Sequence, residues 1–418
     1  MSLPIVIIGA GPVGLAAAAH LLERRLTPLV LEAGPSVGTH IRAWGHVRLF
    51  SPWHFCIDRA SRALLEPTGW HAPDPKRLPT GAALVADYLD PLAAVLAPYI
   101  HYNTRVIALS REGVDKVRSR DRAEKPFIVA LETPQGETQI TAAAIIDASG
   151  TWSQPNPLGA SGIAAPGEKA ATAHIHYGIP DCLGPDRATY ANRRVLVVGS
   201  GHSAMNAIHD LVRLKHQEPE TQIFWAMRQV PDAITFGGGA NDALIARGQL
   251  GNEAETAIAA GLVKLLAPFA VSALASASTG VTVTAATGAT ITVDQIIACT
   301  GFRPDLTITR ELRLGLDPWL ETTPALAPMI DPNLHSCGSV RPHGAVELAH
   351  PEPGFYTAGM KSYGRAPTFL LLTGYEQVRS IAAALAGDEV AAKRVELDLP
   401  KTGVCITNRT PAKTGCCG

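Results

Sequence analysis

PIVIIGAGPVGLAAAAHLLERRLTPLVLE, Pro4–Glu32, decides the fold. Pro4 to Ile8 is a short apolar run rich in β-branched residues and reads as a buried parallel strand. GAGPVG follows at Gly9–Gly14, and an Ala- and Leu-rich helix runs on through about Arg25. A second apolar run, Pro28–Leu31, ends at Glu32. Each position has a physical task. Gly9 permits the tight turn, Gly11 lets backbone approach a pyrophosphate, and Gly14 allows close helix–strand packing. The helix head, opened by Pro12, faces the phosphates. Glu32 suits the hydroxyls of a ribose. Strand, fingerprint, helix, strand and acid in this order predict a βαβ dinucleotide site.

The pattern recurs. Arg194–Val198 is another β-branched strand, GSGHSA follows at Gly199–Ala204, and a helix extends to about His216. Gln222–Ala226 reads as the next strand, with Arg228 just beyond it. An acid there favours a 2′-hydroxyl, whereas Arg pairs with a 2′-phosphate. The second site therefore reads as NADPH-preferring, through Gly199, Ser200, Gly201, His202, Ser203, Ala204, Arg228 and later Gly301. The first, acid-tipped site reads as the FAD site, and the second delivers hydride to it.

Composition bounds the alternatives. The chain has 418 residues, enough for two or three domains. Lys and Arg number 36 against 37 Asp and Glu, a net charge of −1, so no basic field invites nucleic acid. With 46% hydrophobic and 17% charged residues, the chain is expected to pack cores. No apolar run reaches the roughly 18 residues of a membrane helix. The apolar N-terminus lacks a basic start and is interrupted by Gly9, Gly11 and Gly14, so it reads as structure rather than a signal peptide. Seven cysteines, odd and sparse, fit a reduced cytoplasmic enzyme better than a disulfide framework.

The expected organisation is α/β, with two Rossmann-like doubly wound domains and a discontinuous FAD domain. Residues 1–155 form its first part, 156–185 a linker rich in Pro and Gly, 186–301 the NADPH domain, 302–398 the return part, and 399–418 a Cys-containing tail. Thr104–Leu109, Phe127–Leu131 and Ile140–Ile146 read as strands, the last leading into DASGT, Asp147–Thr151. A helical stretch is expected from about Glu253 to Leu274, then a hairpin of Val281–Thr284 and Thr290–Ile297 leading into ACTGFRPD, Ala298–Asp305. GFYTAGMKSYGRAP precedes a helix over Thr368–Ala386.

GAGPVG with Glu32, GSGHSA, ACTGFRPD and the late GFYTAGM, in that order, resemble the two-dinucleotide-binding flavoproteins, nearest the single-component flavin monooxygenases. That resemblance implies FAD at the first fingerprint and NADPH at the second. Reduced flavin adds O₂ at C4a, and the resulting hydroperoxide oxygenates a soft nucleophile. It assigns Gly9, Gly11, Pro12, Gly14, Glu32, Val106, Ser149, Gly150, Gly359 and Met360 to FAD, and places Ser51, Lys361, Tyr363 and Arg365 near the flavin as catalytic candidates. A cation such as Lys361 near flavin N1 stabilises anionic reduced flavin. The family's linker signature is missing; AHIHYGIPD offers only His174 and His176.

WGHVRLFSPW (Trp44–Trp53), HSCGSVRPHGA (His335–Ala345), GMKSYGRAPTFLLLTGYEQVRS (Gly359–Ser380) and the Cys-rich end are similar to bacterial flavoproteins associated with arsenic resistance. This similarity implies oxidation of trivalent arsenic or antimony. Thiolates are soft ligands, so Cys405, Cys416 and Cys417 are candidates for metalloid capture, and the vicinal pair resembles that of mercuric reductases. Cys56, Cys299 and Cys337 read as small buried groups or pocket thiols. His335, His343 and His350 fit no metal template. No C-x-x-C stands by either fingerprint, which argues against a thioredoxin-type reductase. Two other functions remain open. One is an NADPH-dependent reductase of a disulfide, metal ion or protein using Cys416 and Cys417; the other is a flavin-bearing metalloid sensor. The partner expected is a small molecule, on a monomer or homodimer.

Overall fold

The computed structural model describes residues 3–232, 235–237, 244–334, 340–366 and 369–397. They form two compact units, one from residues up to 154 and from 302 onward, the other from 155–301.

The first unit is built on a parallel sheet. Its strands are β1 (Ile5–Ile8), β2 (Pro28–Leu31), β3 (Ile100–His101), β7 (Ala144–Asp147) and, late in the chain, β16 (Phe355–Thr357). Their order is β16-β7-β1-β2-β3. Every residue of β1 is buried, as both faces of a covered parallel sheet require. The register sets Ile8 opposite Leu31 and Asp147, and Asp147 opposite Thr357. The carboxyl ends of four strands thus share one edge. Helix α1 (Pro12–Glu23) makes the crossover from β1 to β2, its run of Ala16–Ala19 is buried throughout, and helix α2 (Arg59–Leu65) lies beside it. Small side chains there let a further helix, α5 (Leu371–Leu385), pack close: a Cβ on its Gly374 would lie 2.6 Å from Val13 Cγ2.

Three antiparallel strands complete this unit: β4 (Arg105–Arg111), β5 (Phe127–Thr133) and β6 (Gly136–Ala142). Val106, Leu109, Phe127 and Val129 join Val6, Ile8 and Leu31 in one apolar cluster. The single strand expected at Ile140–Ile146 is two strands in different sheets, parted at Ala143. Residues of β6 are mostly exposed or half-buried, whereas all four of β7 are buried, so the run joins two environments.

The second unit repeats the parallel theme. Its sheet holds β8 (Ile175–Tyr177), β9 (Arg194–Val198), β10 (Gln222–Ala226), β11 (Val263–Leu266) and β15 (Gln295–Ala298), in the order β11-β10-β9-β15-β8. Residues 156–185, read as linker, belong to this unit and supply its edge strand β8. Helix α3 (His202–Gln217) follows β9. Helix α4 (Ile245–Ala259) starts earlier and stops sooner than the expected 253–274. Gly261, at φ +71°, takes the left-handed position past its end, and Val263–Leu266 pairs with β10 instead.

A three-stranded antiparallel sheet, β12 (Val271–Ala277), β13 (Gly280–Ala285) and β14 (Thr290–Val293), completes the unit. The expected strand Thr290–Ile297 is divided at Asp294 between β14 and β15. That carboxylate accepts from the Arg194 amide at 2.7 Å and from its guanidinium at 2.7 Å, pinning the corner. Among the described residues no helix is long and apolar enough to cross a membrane.

Candidate functional site

The first fingerprint sits where β1 feeds α1. Gly9 has φ +98°, open to glycine at little cost, and a Cβ there would stand 3.0 Å from Ala148 O. A Cβ on Gly14 would lie 2.0 Å from Gly9 O, so this position admits no side chain. Gly11 is different: a Cβ there meets nothing within 4 Å. Its bareness leaves open space at the head of α1. The first helical bond runs from Leu15 N to Gly11 O at 3.0 Å, so the amides of Val13 and Gly14 head the helix without intrahelical partners. Pro12 adds no N–H there.

Glu32 holds this loop. Its two carboxylate oxygens accept from Ala10 N and Gly34 N, each at 2.7 Å. Each oxygen has a second lone pair, so the carboxylate can still accept from a ribose hydroxyl.

Two buried polar atoms on the stretch that follows have no partner. Trp53 is fully buried, yet its Nε1 has no hydrogen-bond partner, and His46 Nε2 is also buried and unpaired. Leaving such a group unsatisfied costs about 1–3 kcal/mol. Gly38 N bonds Ala10 O at 3.0 Å before these residues, and Tyr375 Oη donates to Cys56 O at 2.7 Å after them. The stretch is therefore tied at one end to the fingerprint and at the other to α5. An open approach at Gly11, an acid at Glu32 and two orphaned buried polar atoms fit a large polar cofactor such as FAD.

At the strand edge the structure joins two residues named from the sequence, Lys361 and Ser149, to Asp147, for which the sequence reading gave no role. Lys361 Nζ donates to Asp147 Oδ2 at 2.6 Å and to Ser149 Oγ at 3.0 Å. Ser149 Oγ donates to Asp147 Oδ1 at 2.6 Å. Lys361 and Asp147 are both buried. Lys361 is therefore a neutralised internal ammonium rather than a free cation. The cluster abuts the fingerprint, since a Cβ on Gly9 would lie 3.1 Å from Ser149 Cα. The sequence signals for Asp147 are its place as the carboxylate ending the buried run AIID and as the first residue of DASGT.

Gly359, at φ +70°, opens the turn Gly359–Tyr363, and a Cβ on it would stand 3.4 Å from the Val13 side chain. The turn therefore lies against the head of α1 and carries Met360 and Lys361 there. Gly150, at φ +72°, has open space where a Cβ would be. Other candidates are placed differently. Tyr363 is buried edge-on to Phe369, with ring centroids 5.1 Å apart, and burial raises its phenol well above the ordinary value. Arg365 points to a surface pair with Glu321 at 3.0 Å, and the Ser51 carbonyl accepts from Cys56 Sγ at 3.4 Å. Val106 is part of the apolar cluster with Ile8 and Leu31. Thr357, Lys361 and Ser362 line a small cleft with His350, whose Nε2 is buried without a partner.

The second fingerprint repeats the first. Gly199 has φ +129°, and a Cβ there would lie 2.3 Å from Cys299 O. Gly201 faces open space. Ser200 and Ser203 are exposed around the head of α3, His202 is its first residue, and Ala204 is buried against the sheet. Trp225 Nε1 donates to Gly199 O at 2.6 Å and braces the turn. Arg228 is exposed two residues beyond β10. Gly301, at φ +85°, accepts from Asn156 N at 2.9 Å.

Cys56, Cys182 and Cys299 are free and buried, and burial pushes the thiols of Cys56 and Cys299 up to about 12. His335, Cys337, Cys405, Cys416 and Cys417 lie outside the described residues. Among the described residues no three His, Cys, Asp or Glu side chains group to hold a metal ion.

Residues 6–333 match the pyridine nucleotide-disulphide oxidoreductase family. The chain belongs to this family. No curated protein matches it. A bacillithiol disulfide reductase from Bacillus cereus shares the fold at 19% identity, covering 93% of this chain and 100% of its own, with a TM-score of 0.67. A flavin monooxygenase mutant from Stenotrophomonas maltophilia is 20% identical, covering 92% and 98%, with a TM-score of 0.57. The thioredoxin reductase of T. acidophilum is 15% identical, covering 93% and 99%, with a TM-score of 0.57. As a pyridine nucleotide-disulphide oxidoreductase, the protein is an enzyme, dependent on FAD and NADPH.

Proposed function

We propose that this oxidoreductase is a monooxygenase. It spends NADPH and O₂ to oxidise a soft nucleophile, with a trivalent arsenical or antimonite as the substrate taken to the pentavalent form. The observation that carries the reading is the state of the described thiols. Cys56, Cys182 and Cys299 are each buried, and burial holds each thiol protonated. A thiol relay needs a thiolate, and these do not supply one. FAD, held by the Gly9–Gly14 turn and Glu32, would supply the two-electron chemistry that passes the hydride equivalent of NADPH on to O₂. One oxygen atom goes to the substrate; the other leaves as water with the hydride-derived proton and one from solvent.

In this reading the α1 head at Gly11 takes the pyrophosphate and Glu32 the ribose. Ser149, Gly150, Gly359 and Met360 face the flavin. The Gly199–Ala204 turn and Gly301 hold NADPH, and exposed Arg228 pairs with the 2′-phosphate. The metalloid choice is supported by Cys405, Cys416 and Cys417, soft ligands on a polar, Gly-containing segment.

NADPH consumption with and without O₂, across sulfides, amines and trivalent metalloids, tests this. Oxidation should require O₂ and accelerate with methylarsenite or antimonite; an equal rate without O₂ overturns it. The family's disulphide-oxidoreductase character favours a second reading, reduction of a disulfide or metal ion through Cys416 and Cys417. That reading predicts anaerobic turnover abolished in C416S/C417S.

A further inference from the structure

The Gly359–Tyr363 turn is held by a closed set of buried hydrogen bonds. Gly359 N donates to Gln377 Oε1 at 2.8 Å. Gln377 Nε2 lies 2.9 Å from Ser362 Oγ and 2.9 Å from His343 Nε2. Ser362 Oγ donates to Gly359 O at 2.7 Å. His343 Nδ1 lies 2.9 Å from Arg341 O. Gln377, His343 and Ser362 are all buried.

Donor and acceptor logic leaves one solution. A carbonyl only accepts, so His343 Nδ1 carries the proton. In the neutral ring Nε2 is then an acceptor, and one N–H of Gln377 donates to it. The other N–H goes to Ser362, and the amide oxygen is left for Gly359. Every group is satisfied, and the amide has one orientation.

We propose that Gln377, oriented by His343, is the positioning residue of this turn, and that the turn is held for the cofactor only while His343 is neutral. Protonated His343 would present an N–H to the N–H₂ of Gln377. Flipping the amide relieves that contact but turns the N–H₂ onto Gly359 N–H. Either way two donors face each other in the interior, where each lost bond counts. The turn rests on α1 at Val13 and carries Met360 and Lys361, so its release loosens the strand-edge site.

Burial holds the His343 pKa below the ordinary imidazole value, against the Arg341 carbonyl, Glu347 and Glu376. Of the groups facing it, Glu347 accepts from Gly344 N, Glu376 is paired with Arg379, and the Tyr363 ring lies 5.7 Å away. A depressed histidine leaves the closed turn intact above about pH 6.5 and weakens it as pH falls, by up to about tenfold per unit.

The inference rests on the assignment of this turn to FAD. The test is FAD release from the diluted holoenzyme, read by flavin fluorescence between about pH 5 and about pH 8, with circular dichroism reporting the fold. Wild type should release FAD increasingly below about pH 6.5. His343→Gln keeps an acceptor for Gln377 and does not titrate, so this acid-dependent rise should vanish; His343→Asn serves if it misfolds. Gln377→Leu should release FAD at every pH. The same acid slope in wild type and His343→Gln overturns the latch while leaving the FAD assignment standing. Wild type that holds no FAD at about pH 8 overturns both.

Discussion

Lys361 and Asp147 stand 214 positions apart in the chain, yet their charged atoms are 2.6 Å apart in the interior of one unit. The carboxylate ends β7, and the ammonium arrives from the turn after β16. The pair thus crosslinks two adjacent strands at the edge where the fingerprint glycines sit. Ser149 satisfies both partners.

Breaking this pair on one side leaves an uncompensated buried charge, which costs about 3–5 kcal/mol. Lys361→Met and Asp147→Leu should each lower the urea midpoint accordingly. The double variant should recover most of the loss, because apolar replacement of both partners is close to neutral. A double variant as unstable as the singles added together would show that the two side chains are not coupled.

Gly11 and Gly14 are three residues apart and should fail differently. Gly14→Val drives a side chain into the Gly9 carbonyl and should abolish folded protein. Gly11→Val meets open space, so circular dichroism should stay native while flavin absorbance is lost. Full flavin occupancy in Gly11→Val would remove the pyrophosphate from this loop.

Glu352 predicts an acid-sensitive join. Its carboxylate accepts from Arg111 Nε at 2.8 Å, Arg122 Nη2 at 2.9 Å and Arg313 N at 3.0 Å. Burial opposes its ionisation, but these donors outweigh it and hold the pKa below the ordinary value. A depressed carboxylate contributes fully above about pH 4.3 and less as pH falls through its folded value. Glu352→Gln should therefore cost about 3–5 kcal/mol near neutrality, measured by denaturation, with the gap to wild type shrinking on acidification. A gap independent of pH would mean the clamp acts by packing alone.

Much of the fold was legible because the chemistry of a dinucleotide turn is local. Gly9, Gly11, Gly14 and Glu32 lie within one βαβ unit, and each answers to contacts made within it or with its neighbouring strand. The same holds for Gly199–Ala204. The strand boundaries at Ala143 and Asp294 were not legible, because a continuous run of strand-forming residues does not say where the chain changes sheets. The end of the helix before Val263 was hidden likewise: VKLL is a strand only because β10 is there to pair with it.

The sequence by itself determined that this chain carries two dinucleotide turns and an oxidoreductase frame, since the spacing of glycines and strands dictates them. Only the tertiary structure decided what surrounds the first of those turns. It buried Lys361 on Asp147, left Trp53 Nε1 and His46 Nε2 without partners, sent Arg365 out to Glu321, and set the Gln377 amide between Gly359 and His343. These are relations between residues far apart in the chain. They depend on burial and on which donor meets which acceptor, and no local pattern encodes that.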